Sequence, residues 1–505
     1  MKQELVKVPE INPQKVMTAK RGASINDGIK FLTTMDLKGR NLTMPGEGGR
    51  YQPKELKPYL GYDQWAGWLI LVEWAWLETL AQMSLEGMYD RPQDRMPDST
   101  IALLTPELLH LLLKSITTKM MDDKEKGIGA YQGEGTGHDI NALLFLMDQL
   151  LPEPLRRWRH FAATSYDKIC CAYALQYQAC FLDVVYPKMQ QVSYHWRMAI
   201  GEHTDTPQTG RTHLMNALPI TFGFWLAERH NRFASNCGRA QDMAFLVEGK
   251  FSGAVGTRAA QLELLSTTEG EDMVLSRLGL VKCPISTQIV QPESLGRAYH
   301  ELVYTSISLG NLGDDARQLQ SSAYRELESV GSKSSTMSHK RSNPVTAENM
   351  YGMHRIMVGE YTKLLMNGIS DFGRDISGSC VMRGYSAMIV YLYQQLQNTE
   401  RWFKNLRVDP DRCLRNLLED AKVMPAELLH LALQRNGLPD AHKFVNEQVV
   451  PRALLDNSSL GTAAELFKPG ISANLPENIL RIMENPTEYI GDAVILAANE
   501  MENAL

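Results

Sequence analysis

The sequence predicts an all-α fold. Apolar side chains recur at three- and four-residue spacing in several separate segments, and alternating apolar–polar runs closed by hairpin turns are scarce. The first stripe, Trp65, Trp68, Leu69, Val72, Trp76 and Leu80, lays one apolar face along a helix. Ile140, Leu143, Leu144, Met147 and Leu151 make a second stripe, and Met388, Ile389, Leu392, Leu396, Phe403 and Leu406 a third. Ahead of them, residues 1–49 are polar and weakly periodic, and read as an extension that wraps the first domain or stays partly mobile. Two stretches break the helical texture. GEHTDTPQTGR at 201–211 gathers charged and turn-forming residues. SVGSKSSTMSHKRSNPV at 329–345 is rich in Ser and Lys and has no apolar stripe, so it cannot bury itself. Composition leaves that second stretch open between a catalytic lid and a solvated linker.

The 505 residues give room for a large core, with about two to four domains as the prior. Hydrophobic residues make up 44% and charged residues 22%, with a net charge of -6. That balance argues against non-specific nucleic-acid binding, which needs a basic face. The opening MKQELVKVPEINPQK lacks the apolar core of a signal peptide. The most apolar stretch, Trp65 to Leu80, is interrupted by Glu73 and Glu78, and no run reaches the roughly 18 apolar residues of a membrane span. Seven cysteines, odd in number and without a CxxC pair, fit neither a zinc ribbon nor a disulfide framework. The expectation is a soluble, cytoplasmic protein that binds neither membrane nor nucleic acid.

His138 in EGTGHDI, His160 in WRHFAATS and His213 in GRTHLMNALPITFG belong to no short metal-ligand spacing. A lone histidine is ordinarily a satisfied structural group. These three are distinguished by Gly, Thr, Ser or Asp neighbours at what read as the edges of apolar helices, where a helix N-terminus can meet an anion. QGEGTG before His138 lacks both the preceding strand and the spacing of a phosphate loop, and reads as a turn. Ser334, Ser335, Lys340 and Arg341 share the loop at 329–345. Either they are a basic surface, or closure brings a serine among cations that stabilise its alkoxide. Arg374 and Arg383 flank RDISGSCVMR and would converge on a phosphate only across a turn.

Taken together, these segments resemble the adenylosuccinate lyase branch of the fumarase/aspartase superfamily. GSKSSTMSHKRSNPVTAENM at 331–350 resembles the signature loop, and GRTHLMNALPITFG at 210–223, TGHD at 136–139 and HFAATS at 160–165 resemble further segments. So do GKFSGAVGT at 249–257, PISTQ at 284–288, RDISGSCVMR at 374–383 and the pair Arg50-Tyr51. The resemblance implies a three-domain fold with a long central helical bundle. Its expected parts are an extension at 1–49, a helical domain at 50–163, the bundle at 164–402 with the loop 329–345, and a C-terminal helical domain at 403–505. It further implies a homotetramer with active sites shared between subunits, a small-molecule nucleotide substrate, and β-elimination of fumarate without cofactor or metal.

Carried over position by position, the resemblance makes Ser334 the base and His213 the general acid, with Glu348 as partner of His213 and His138 also in the catalytic set. Lys340 and Asn343 would hold a carboxylate, with Ser335 and Met337 beside them. Asp139, His160, Thr164, Ser165, Thr212 and Gln288 would position substrate. Arg50, Tyr51, Arg374, Ser379 and Arg383 would hold a phosphate. The chain departs from the pattern at Lys333 and Ser338, which replace a glycine and a proline, and at Ser342, which is an added residue. Leu214 and Gly378 stand for a glycine and a histidine, Cys380 for a serine, and Ala426-Glu427-Leu428 for a Ser-x-Arg segment. These changes keep two alternatives open: a superfamily lyase or cycloisomerase acting on another N-succinyl or tricarboxylate compound, and an inactive structural or nucleotide-binding homologue.

Overall fold

The computed structural model describes residues 21–35, 51–329, 337, 342–369 and 377–505. These are mostly helical, and among them strands form only three two-stranded sheets. Pro207–Thr212 runs antiparallel to Met215–Thr221, Glu248–Gly249 parallel to Val281–Lys282, and Leu327–Ser329 antiparallel to Leu406–Val408. The described residues divide into two compact units, one drawn from 1–187, 239–302 and 358–393, the other from 188–238, 303–357 and 394–505.

The first unit is built around the helix Trp65–Leu85. The sequence stripe predicts one buried face. The helix is instead buried all round: Ile70, Leu71, Trp74 and Leu77, which lie off the stripe, are as enclosed as Trp68. Neighbours on several sides explain this. Leu32 lies so close to Gly67 that a Cβ there would come within 2.5 Å of it, and Trp76 packs against Gly270. Leu32 belongs to the helix Ala23–Thr34, whose Ile25, Ile29 and Leu32 are buried at three- and four-residue spacing. Part of the polar extension is thus an amphipathic helix of this unit. The helix Ser165–Glu202 is long and apolar enough to cross a membrane by length and composition, but 67% of its most apolar window is buried in protein, as in a core helix.

In the second unit, Leu429, Leu433, Phe444, Val449 and Leu460 centre the C-terminal helices. The third sequence stripe overshoots its helix, Ser386–Lys404. Leu406 starts the strand that pairs with Leu327–Ser329.

Candidate active site

A cavity of about 230 Å³ in the first unit gathers four of the residues singled out in the sequence: His138, Asp139, Ser379 and Arg383. A neighbouring cavity of about 320 Å³ shares Trp65, Glu125, Asp139, Tyr173, Arg383 and Tyr385 with it. Volumes of a few hundred Å³ suit a small-molecule ligand.

Local backbone chemistry explains how His138 reaches this wall. Gly127 sits at φ 64, where a Cβ would stand 2.6 Å from the Gly135 nitrogen, so two glycines let the backbones touch. Thr136 and Gly137 then donate to the carbonyls of Lys124 and Glu125 at 3.1 and 3.0 Å. QGEGTG is therefore a folded turn that delivers His138 to the N-cap of the helix Asp139–Asp148. The Ile140 N–H is shared between His138 Nδ1 at 3.1 Å and Asp139 Oδ1 at 2.7 Å. His138 Nδ1 also lies 3.0 Å from Asp139 Oδ1, so the ring and the carboxylate meet at the head of this helix.

The helix Ser165–Cys180 supplies a second wall through Tyr166, Ile169, Cys170 and Tyr173. Burial pushes the Cys170 thiol up to about 11, so it stays protonated. Thr164 is the N-cap and forms a capping box with Asp167, whose carboxylate accepts the Thr164 N–H at 2.8 Å. Asp167 is fully buried, is paired with Lys250, and accepts the Ser252 N–H at 3.2 Å. Ser252 meets Ser286 at 2.6 Å. GKFSGAVGT and PISTQ are thus joined to one another and to this helix. Gly256 at φ 82 would place a Cβ 2.0 Å from the Ser286 carbonyl, so only glycine fits there. Gln288 is half-buried in this loop beside Ile289, which lines the cavity. Thr164 and Ser165 are half-buried directly before Tyr166.

His160 stands at φ 57 and donates its backbone N–H to Glu73 Oε1 at 2.6 Å. Its ring Nδ1 lies 3.9 Å from Glu73 Oε2, which also pairs with Lys168 at 2.8 Å. Burial would raise the Glu73 carboxyl, but Lys168 and His160 outweigh it and hold the group down at about 2. Burial, with Lys168 adding to it, lowers His160 and favours its neutral ring. Tyr51 packs edge-on against Tyr391, with ring centroids 6.2 Å apart.

The remaining described candidates belong to the second unit. Thr212, His213 and Leu214 are exposed at the tip of the hairpin Pro207–Thr212/Met215–Thr221. The neighbours of His213 in the sequence predict a helix edge; it is instead the first residue of a two-residue hairpin turn. His213 and Leu214 stand at φ 54 and 63, the geometry of a type I′ turn. A glycine fits naturally where Leu214 stands. The hairpin is anchored from behind by Glu326, which is fully buried, is paired with Arg211, and accepts from Gln208 at 2.8 Å and Asn416 at 2.9 Å. Glu348 is exposed on the helix Val345–Met366, Asn343 is half-buried just before it, and Met337 is exposed. The added residue Ser342 accepts from the Gln320 amide at 2.9 Å, and Gln320 Oε1 accepts the Ser329 N–H at 3.3 Å. One glutamine thereby holds both ends of the Ser-rich segment. Arg50, Ser334, Ser335, Lys340 and Arg374 lie outside the described residues.

Residues 128–359 match a protein family described as Lyase. The adenylosuccinate lyase of Synechocystis sp. is 32% identical over 319 residues, 61% of this chain and 72% of that one. The adenylosuccinate lyase of Pyrococcus horikoshii is 30% identical over 379 residues, 72% of this chain and 82% of that one. The chain belongs to the adenylosuccinate lyase family. Among solved structures, fumarate lyase from Mesorhizobium sp. BNC1 superposes with a TM-score of 0.71 at 23% identity, over 90% of this chain and 99% of that one. The 3-carboxy-cis,cis-muconate lactonizing enzyme of Pseudomonas putida follows with a TM-score of 0.67 at 23% identity, over 87% and 93%. At such identity these likenesses speak for the fold alone, which is the all-α fumarase/aspartase fold. The chain is an enzyme of that lyase superfamily.

Family motifs account for His138, Asp139, Ser379 and Arg383, but not for Tyr166, Tyr173 or Asn367 on the same cavity wall. The apolar–aromatic pattern Tyr166, Ile169, Cys170, Tyr173 at helical spacing was the available signal, and it reads equally as core. Glu73, Lys168 and Glu326 carried no sequence signal, because their partners come from distant segments.

Proposed function

We propose that this chain eliminates fumarate from adenylosuccinate, giving AMP, and performs the same step on the succinylated carboxamide intermediate of IMP synthesis. The reading is carried by one observation: Ser379 and Arg383, from the segment that resembles the family's phosphate clamp, share a cavity wall with His138 and Asp139. A guanidinium beside a hydroxyl suits a phosphoryl group, and the curated relatives' names supply the substrate.

In the proposed reaction, Ser334 takes the proton from the carbon next to a substrate carboxylate. The extra charge on that carboxylate is met by Lys340 and Asn343. The C–N bond then breaks, its electron pair goes to nitrogen, and His213, supported by Glu348, supplies the proton that nitrogen receives. Fumarate and the amine leave. The active unit is a homotetramer that shares its sites between subunits.

Purified protein incubated with adenylosuccinate is expected to release AMP and fumarate in equal amounts, measured by chromatography. A second reading, a lyase for another N-succinyl compound, is favoured by Gly378 and Cys380 in the clamp segment and by Glu125 and Asp139 beside Arg383. Fumarate released from a different succinylated amine, with none from adenylosuccinate, selects that reading instead.

A further inference from the structure

Tyr166 belongs to no motif, yet the first turn of the helix Ser165–Cys180 puts it on the wall of the cavity of about 230 Å³ with Ser379 and Arg383. Burial, with Cys170 and Asp139 adding to it, outweighs the opposing pull of Arg383 and Ser379 and pushes the phenol up to about 12. At neutral pH it therefore keeps its proton and is a hydrogen-bond donor. The turn that precedes Ser379 is closely packed from behind. A Cβ at Gly378 would stand 2.0 Å from Asn367 Oδ1, so the bare glycine lets the Asn367 side chain seat beneath this turn. Asn367 Nδ2 in turn donates to the Tyr385 hydroxyl at 2.9 Å, and Tyr385 lines the same cavity. One wall thus carries a phenol, a serine hydroxyl and a guanidinium, all donors, a set that matches the several oxygens of a phosphoryl group.

We propose that Tyr166 is a further binding residue, donating to a phosphoryl oxygen of the nucleotide beside Ser379 and Arg383. The inference rests on the reading of this cavity as the seat of a phosphorylated substrate. Its test compares AMP with adenosine by calorimetric titration of the intact protein, alongside steady-state kinetics on adenylosuccinate. Tyr166→Phe is expected to weaken AMP about tenfold, to leave adenosine unchanged, and to raise KM with little change in kcat. Because the AMP-to-adenosine ratio is read within each preparation, partial unfolding shifts both ligands alike and leaves the ratio intact. Tyr166→His, which retains a donor, is expected to keep the ratio nearer that of the wild type. Equal loss of both ligands in Tyr166→Phe, or none, overturns the inference alone. A wild type that does not prefer AMP to adenosine overturns the inference together with the reading beneath it.

Discussion

His160 and His213 share a backbone conformation and differ in almost everything else. Both stand in the left-handed region, at φ 57 and 54, which costs an L-residue about 1–2 kcal/mol. Each has a fully buried carboxylate behind it. In the first unit Glu73 touches His160 itself, through the backbone N–H at 2.6 Å and the ring at 3.9 Å. In the second unit Glu326 binds Arg211, Gln208 and Asn416, and the ring of His213 stays exposed. The contrast is one of mounting. His160 is fixed by a carboxylate that binds its own backbone, whereas His213 is an exposed ring on a rigid mount, the arrangement that the proposed proton transfer from His213 needs.

The largest stability effect is expected where a buried charge loses its partner. Glu326→Ala leaves Arg211 nearly buried without its carboxylate and should cost about 3–5 kcal/mol in urea unfolding. A change below about 1 kcal/mol would mean that Glu326 is not the anchor of the hairpin. Lys168→Met should cost about 3 kcal/mol, because the Glu73 carboxylate keeps only His160. This variant also sharpens the pH behaviour. The Glu73 carboxyl lies below its usual 4.5, at about 2, so its contribution is complete above 4.5 and is lost as pH falls toward 2. Acid unfolding of the wild type should therefore show a loss across that window which Lys168→Met lacks. The smallest effect belongs to the turn. Leu214→Gly relieves φ 63 but frees the unfolded chain, for a net stabilisation of about 1 kcal/mol or less. Leu214→Val should destabilise, since a β-branched residue fits that region worse.

Periodicity made the helical class legible, and with it the helices Trp65–Leu85 and Asp139–Asp148. Local motifs also made part of the cavity legible, because a turn such as TGHD carries its own capping chemistry. The hairpin at His213 was not, since Thr212-His213-Leu214-Met215 offers none of the Asn-Gly or Asp-Gly signals that mark a two-residue turn. The buried anchors were hidden for another reason. Glu73 meets His160 across 87 residues and Glu326 meets Arg211 across 115, and a lone glutamate in a sequence carries no mark of its distant partner. All-round burial of the Trp65 helix was likewise invisible, because a stripe reports one neighbour and this helix has several.

The proposed proton transfer from His213 is tested most directly by measuring AMP affinity and turnover in His213→Gln. The account predicts AMP binding within twofold of the wild type and a kcat lower by about a hundredfold or more. Parallel loss of binding and turnover, or turnover left intact, would contradict it.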